Sequence, residues 1–238
     1  KQNLYALLKE GTGRELPWGT LTGIRPTKIP MKLMEEGQTD EAIFQYMKET
    51  YFATDEKIQL SIDIAKRERE LLSKIDYENG YSLYIGIPFC PSTCLYCSFT
   101  SYPLGMWKNR VDEYLDALEK EIHFTAVKFQ HKKLNSIYIG GGTPTTLNAQ
   151  QLDRLIRKIK CSFDLQHCIE FTVEAGRPDS ITREKLEVLK IHGIVDRISI
   201  NPQTMQQKTL HEIGRWHTVE DIKEVYALAR ELGFDNIN

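Results

Sequence analysis

The sequence predicts an α/β fold: parallel strands alternating with helices close partway into a barrel, preceded by a small helical region. Three observations carry this reading. Strand-like and helix-like runs alternate from residue 80 onward, each strand-like run is apolar on one face only, and residues 1–79 show helical patterning with no strand signal.

Residues 1–79 are expected to form a helical accessory region. Ala42, Ile43, Tyr46 and Met47 recur at helical spacing, as do Ile58, Ile62, Ala65, Leu72 and Ile75, and Thr54 or Asp55 can cap the long helix that follows. A loop-like stretch, Pro17-Trp18-Gly19 to Gly23-Ile24-Arg25-Pro26, separates the first helices. Arg25 and Lys28 read as surface charges.

Residues 80–238 read as the N-terminal part of the barrel. Strands are expected at 81–87, 134–140, 169–175, 195–201 and 234–238. Helices are expected at 107–129, 148–163 and 180–192, with two pieces across 205–232. Strands in such a β-α repeat run parallel and are joined by right-handed crossovers. Side chains alternate along a strand. One face carries Ile85, Ile87, Ile137, Ile139, Phe171, Val173, Ile198 and Ile200. The other carries Tyr84, Gly86, Tyr138, Gly140, Glu170, Thr172, Glu174, Arg197, Ser199 and Asn201. A doubly wound sheet is covered by helices on both faces and wants both apolar. A single apolar face suits a barrel whose interior is polar, hence wider or less completely closed than one packed with bulky side chains.

With 41% apolar residues a substantial core can form, and a net charge of −2 leaves no charged run to attract nucleic acid. The densest basic stretch, residues 128–133, reads as a solvated helix end. No apolar run approaches the roughly 18 residues of a membrane span, and a cytoplasmic, reducing setting is the expectation. The chain does not begin with Met and stops within a strand-like run, so it is expected to be part of a longer protein.

Three of the five cysteines fall within eight residues: Cys90, Cys94 and Cys97, spaced Cys-x3-Cys-x2-Cys directly after the first strand. Thiolates are the preferred ligands of iron–sulfur clusters, and three of them can hold three irons of a [4Fe–4S] cube while the fourth iron stays free for a small molecule. A structural zinc site would need a distant fourth ligand such as His123, Cys161 or Cys168. Inert thiols are the remaining alternative. Cys161 and Cys168 are expected to be buried small hydrophobes.

Active sites of βα barrels lie at the C-terminal ends of the strands. The second strand ends in Gly140-Gly141-Gly142-Thr143-Pro144-Thr145, where the backbone can approach a ligand closely. The third ends in Glu174, whose interior carboxylate needs a partner. The fourth runs into Asn201-Pro202-Gln203, with Arg215 beyond it; the one can donate and accept, the other can grip a carboxylate.

Together these residues resemble the oxygen-independent coproporphyrinogen III dehydrogenase family of radical S-adenosylmethionine (SAM) enzymes. The matching stretches are Tyr84–Cys97, Gly140–Thr145, Val173–Ala175, Asn201–Gln203 and the Ile-Gly-Arg-Trp-His run at 213–217; Leu21–Lys28 looks like the HemZ-type subgroup. The resemblance implies a partial (β/α)6-type barrel. It also implies a [4Fe–4S] cluster on Cys90, Cys94 and Cys97, with SAM on the fourth iron. Tyr84, Tyr96, Gly141, Gly142, Thr143, Glu174, Gln203 and Arg215 would border SAM or the substrate. The implied reaction is oxidative decarboxylation of the propionates of coproporphyrinogen III, fed by a flavodoxin- or ferredoxin-type electron donor, in a monomer. A haem chaperone on the same core is the alternative. Two positions depart from the best-studied dehydrogenases: Phe99 stands at a fourth cysteine's place and Gly86 at a histidine's, both near where substrate should bind.

Overall fold

In the computed structural model, which describes residues 1–76 and 78–238, the chain divides into two compact units, Lys1–Ile75 and Asp76–Asn238.

The first unit contains α1 (Gln2–Thr12), α2 (Lys28–Glu35), α3 (Asp40–Tyr51) and α4 (Asp55–Leu72). Its core joins Met34, Ile43, Met47, Ile58, Ile62 and Ala65. The apolar stripe of α3 is narrower than its spacing suggests, since Ile43 and Met47 are buried while Ala42 and Tyr46 are exposed. Thr39 caps α3 by accepting the Ala42 N–H at 3.2 Å. Thr54 occupies the N-cap position of α4, but its hydroxyl donates instead to the Pro17 carbonyl.

In the second unit the strands are β1 (Gly80–Ile87), β2 (Lys133–Gly141), β3 (Glu170–Glu174), β4 (Arg197–Ser199) and β5 (Asn236–Ile237). The helices are α5 (Val111–Lys128), α6 (Ala149–Ser162), α7 (Arg183–Ile191), α8 (Gln207–Glu212) and α9 (Val219–Glu231). The strands form one parallel sheet in sequential order, β1 to β5. Sequential order means that every crossover steps the same way, so right-handed connections lay the helices on one side of the sheet. A doubly wound sheet would show a reversal of strand order; none occurs among the described residues. This is the winding of a partial barrel.

Register explains the one-sided patterning. Ile85, Ile139, Val173, Ile198 and Ile237 sit side by side across the five strands, as do Tyr84, Tyr138, Thr172, Arg197 and Asn236 on the opposite face. The first row is buried against α5, α6 and α7 through Leu115, Leu155, Ile156 and Leu186. The face carrying the second row is polar and tied together within and across strands. Ser136 donates to Ser82 at 2.8 Å, Thr172 to Glu170 at 2.8 Å, and Arg197 pairs with Glu170 at 3.4 Å.

Three sequence expectations are adjusted. The helix expected from Trp107 begins at Val111, because residues 104–110 form a short helical turn and a 3₁₀ turn first. Cys161 is exposed rather than buried: α6 turns Leu152, Leu155, Ile156 and Ile159 inward, and position 161 lies half a turn away from Leu152. Cys168 is half-buried against the core, where burial pushes its thiol pKa up.

Ile139 is fully buried and Ile191 is 80% exposed. Ile139→Ala is therefore expected to cost about 2–5 kcal/mol of unfolding free energy, whereas Ile191→Ala should stay within about 0.5 kcal/mol of the parent. Denaturant titration followed by circular dichroism checks both.

Candidate active site at the strand ends

The segment after β1 turns back across the end of the sheet. Phe89–Cys90 pairs in parallel with Tyr102–Pro103, and the Tyr102 N–H donates to the Pro88 carbonyl at 2.7 Å. The cysteine loop lies directly on the end of β2. The Gly142 N–H donates to the Ile87 carbonyl at 2.8 Å. A Cβ on Gly142 would stand 2.7 Å from the Phe89 carbonyl oxygen and 3.0 Å from the Cys90 sulfur. Gly141 has φ +106°, and a Cβ there would meet the Ile87 backbone within 3.0 Å. The glycines thus serve the cysteine loop before they serve any ligand: side chains at 141 and 142 would lift the loop off the sheet.

The far side of the loop rests on the turn after α8. The Leu95 N–H donates to the Ile213 carbonyl at 3.0 Å, and the Ser92 hydroxyl approaches the Gly214 carbonyl at 3.4 Å. The Ile-Gly-Arg-Trp-His run therefore braces the loop and carries Arg215 inward. Arg215 is buried, and its Nη1 donates to the carbonyls of Asn201, at 2.9 Å, and Gly176, at 3.2 Å.

Between loop and strand ends lies a cleft of about 260 Å³. Ten of the sequence-predicted residues line it: Cys90, Cys94, Cys97, Tyr96, Gly141, Gly142, Thr143, Glu174, Gln203 and Arg215. Tyr84 does not. It is 63% exposed on the polar face of β1, and its ring stacks on Tyr138 with centroids 5.8 Å apart. Tyr138 in turn donates to Glu174 at 2.5 Å, which gives that interior carboxylate its partner. Burial first, and then the Glu174 carboxylate accepting its hydrogen bond, push the Tyr138 phenol well above its ordinary pKa.

One contact and one backbone conformation give two cleft residues more definite surroundings than their sequence does. Thr143 is buried with its hydroxyl 3.4 Å from the Cys90 sulfur. Burial pushes the Cys90 thiol pKa up; the Thr143 hydroxyl and the charge of Arg177 act against that rise. Gln203 has φ +67°, a left-handed backbone uncommon outside glycine and asparagine. Such a conformation costs on the order of 1–3 kcal/mol and persists where the surroundings fix it.

The sequence reading missed Arg177, Gly176 and Ser98, which line the cleft together with Asn201 of the strand-end motif, and it placed Tyr138 on the polar face without pairing it to Glu174. Arg177 left a readable signal. It stands three residues beyond Glu174, between a glycine and a proline, at the strand end where functional side chains collect.

The donor set fits an iron–sulfur cluster. None of His123, Cys161 and Cys168, the distant ligands that a four-coordinate structural zinc would draw on, lines the cleft with the three thiols. Three thiols spread around one cleft suit a group with three separate metal corners. Arg215 also keeps a buried Nε with no hydrogen-bond partner, an unmet polar demand beside the cleft.

The radical SAM superfamily model matches residues 84–238, from the strand before the cysteines onward. The chain belongs to the radical SAM superfamily. Members use a [4Fe–4S] cluster and SAM, and so does this protein. Over 236 residues the chain is 44% identical to the oxygen-independent coproporphyrinogen-III oxidase-like protein HemZ of Bacillus subtilis, covering 98% of this chain and 47% of that protein. It is 45% identical over 161 residues to the heme chaperone HemW of the same organism, covering 66% of this chain and 41% of HemW. The solved structure of coproporphyrinogen III oxidase (HemN) from Escherichia coli, described as a radical SAM enzyme, matches with a TM-score of 0.60. There the identity is 31%, covering 72% of this chain and 39% of that one. The chain thus spans less than half the length of these relatives. Within the superfamily it falls in the HemN/HemW/HemZ group. Among the described residues no helix is long and apolar enough to cross a membrane.

Gly142→Ala tests the close approach of loop and strand. With Phe89 backbone and a cysteine sulfur in the way, it is expected to cost about 1–3 kcal/mol, read as a lowered denaturation midpoint. Gly23→Ala, where nothing lies within 4 Å, should leave the midpoint close to that of the parent.

Proposed function

We propose that this chain supplies the SAM-cleaving part of an oxygen-independent coproporphyrinogen III dehydrogenase of HemZ type. The observation that carries the reading is the single cleft uniting three cysteine thiols with the polar ends of β2, β3 and β4. The HemZ relationship extends over nearly the whole chain, first unit included, whereas the HemW alignment is too short to include both units in full.

In this reading Cys90, Cys94 and Cys97 hold the cluster. When bound, the reduced cluster and SAM supply one-electron chemistry strong enough to remove a hydrogen atom from an unactivated carbon. The chain's own residues bind and orient. Arg215, anchored by the Gly176 and Asn201 carbonyls, presents its fork to a carboxylate. Glu174, fixed by Tyr138, accepts hydrogen bonds from amino or hydroxyl donors. Gln203 offers a donor and an acceptor from its constrained backbone. Gly141, Gly142 and Thr143 form the wall beside the Cys90 sulfur, and Tyr96 lines the cleft with the second and third cysteines. Tyr84, outside the cleft on the same polar face, would face the substrate. Taking a β-hydrogen from a substrate propionate, with loss of carbon dioxide and transfer of one further electron to an external one-electron acceptor, would leave a vinyl group. A flavodoxin- or ferredoxin-type protein would feed the cluster, the protein working as a monomer in the cytoplasm.

A haem-binding chaperone is the second reading. It is favoured by the identity to HemW and by Phe99, an exposed apolar ring at the cleft rim where the dehydrogenase pattern has a cysteine.

The full-length protein carrying this chain, reconstituted anaerobically with iron, sulfide and dithionite and given SAM and coproporphyrinogen III, decides between them. Protoporphyrinogen IX with stoichiometric 5′-deoxyadenosine is expected, with both falling to background in Cys94→Ala. Deoxyadenosine without protoporphyrinogen would sink the substrate assignment, and tight haem binding without turnover would establish the chaperone.

A further inference from the structure

Arg177 is the most deeply buried charged residue at the cleft, only 2% exposed. A buried guanidinium is costly unless its donors are met. Here one side of the fork is held by Asp179: Nε donates to one carboxylate oxygen at 2.9 Å and Nη2 to the other at 2.6 Å. The rest points at the cysteine loop. Nη1 donates to the Ser92 carbonyl at 3.3 Å and hydroxyl at 3.2 Å, and reaches the Cys94 sulfur at 3.6 Å. Nη2 also reaches the Ser92 hydroxyl at 3.2 Å. Pro178 opens the 3₁₀ turn that brings Asp179 back alongside its neighbour.

This is more than a loop brace. A serine or a backbone N–H could tie down Ser92 without burying a charge. The Arg177 side chain instead aims a permanent cation at a sulfur of the loop. The Asp179 carboxylate stays on the far side of the fork.

We propose that Arg177 is a positioning residue that seats Cys94 and raises the reduction potential of the cluster. The inference rests on the reading that Cys90, Cys94 and Cys97 are the cluster's ligands, and it assigns to this chain a tuning device of its own. Reduction adds one electron from an external donor and no proton, so the cluster and its thiolates become one charge more negative. A fixed cation beside a ligating sulfur stabilises that state over the oxidised one. Hydrogen bonds to ligand sulfurs act in the same direction and are among the main levers on cluster potential. Asp179 has two opposed effects: it orients the fork, and its negative charge weakens the cation's pull.

The test is a redox titration of the reconstituted full-length protein without SAM, following the reduced cluster by electron paramagnetic resonance. Iron and sulfide per chain are measured alongside. Arg177→Gln is expected to cut the ratio of reduced to oxidised cluster about tenfold at a fixed potential, equivalent to a 59 mV drop for a one-electron couple. Arg177→Lys, which keeps the charge and loses the fork, should stay within about threefold of the parent while retaining less iron. Asp179→Asn should shift the ratio the other way. Opposite signs at 177 and 179 are something a purely structural role would not produce. An unchanged midpoint in Arg177→Gln, or equal shifts in both variants, overturns the inference. If Arg177→Gln holds no cluster, Asp179→Asn decides it: a raised share of reduced cluster supports the inference, and an unchanged or lowered one overturns it. Absence of iron and sulfide from the parent protein would overturn the cluster reading itself, a result distinct from a shared midpoint.

Discussion

A loop bearing three thiols can lie against the mouth of a parallel sheet only if the next strand end offers no side chains to hold it away. Gly141 and Gly142 satisfy that condition, and much else follows from it. With no Cβ at 142, the Phe89 carbonyl and Cys90 sulfur sit on the backbone of β2. Cys90 then meets the Thr143 hydroxyl, and the rest of the loop is near enough to β3 and α8 for Arg177 and the Ile213–Gly214 turn to secure it. Each contact is weak alone. Together they fix the loop on three sides and leave the fourth facing the cleft.

The electrostatics of the site follow the same division. The apolar row of the sheet is sealed under helices, so every charge that belongs to the chemistry has to stand on the other face or at the strand ends. There charges are paired or hydrogen-bonded: Glu170 with Arg197, Glu174 with Tyr138, Arg177 with Asp179. Burial pushes the Asp179 carboxyl pKa up, but the ion pair with Arg177 overrides this and holds it below its ordinary value. His217 is the exception. It lies buried with Nδ1 4.0 Å from an Asp179 oxygen and neither ring nitrogen hydrogen-bonded, and burial lowers its pKa against the pull of Asp179, so that the neutral ring is favoured.

Strand parity was legible in the sequence because alternation is a local property: Ile137 and Ile139 against Tyr138 and Gly140 already announce an apolar and a polar face. The cysteine spacing was legible for the same reason. Relations that cross the chain were not. The service of Gly142 to Cys90 spans the whole of α5, and Arg177 reaches a sulfur 83 positions earlier. The triple glycine was read as a place for ligand, and only the register of β1 on β2 reveals which backbone occupies it. Cys161 misled because a free cysteine is usually a small buried hydrophobe, while here the phase of α6 puts it outside. Tyr84 reads in sequence as part of the cysteine motif, yet its place in the strand points it to the stacked aromatic pair on the sheet's polar face.

Sequential strand order has a consequence for how the second unit is built. Each new strand of the sheet pairs with the one immediately before it, so no strand has to wait for a partner made later. Each closure spans one helical crossover, and hydrophobic contacts accumulate in the order in which the chain is synthesised. The cysteine loop leaves β1 before the glycines that seat it have appeared. Until α5 and β2 have been added, that loop has no strand end to rest on, so its seat is completed only by the backbone of Gly141 and Gly142.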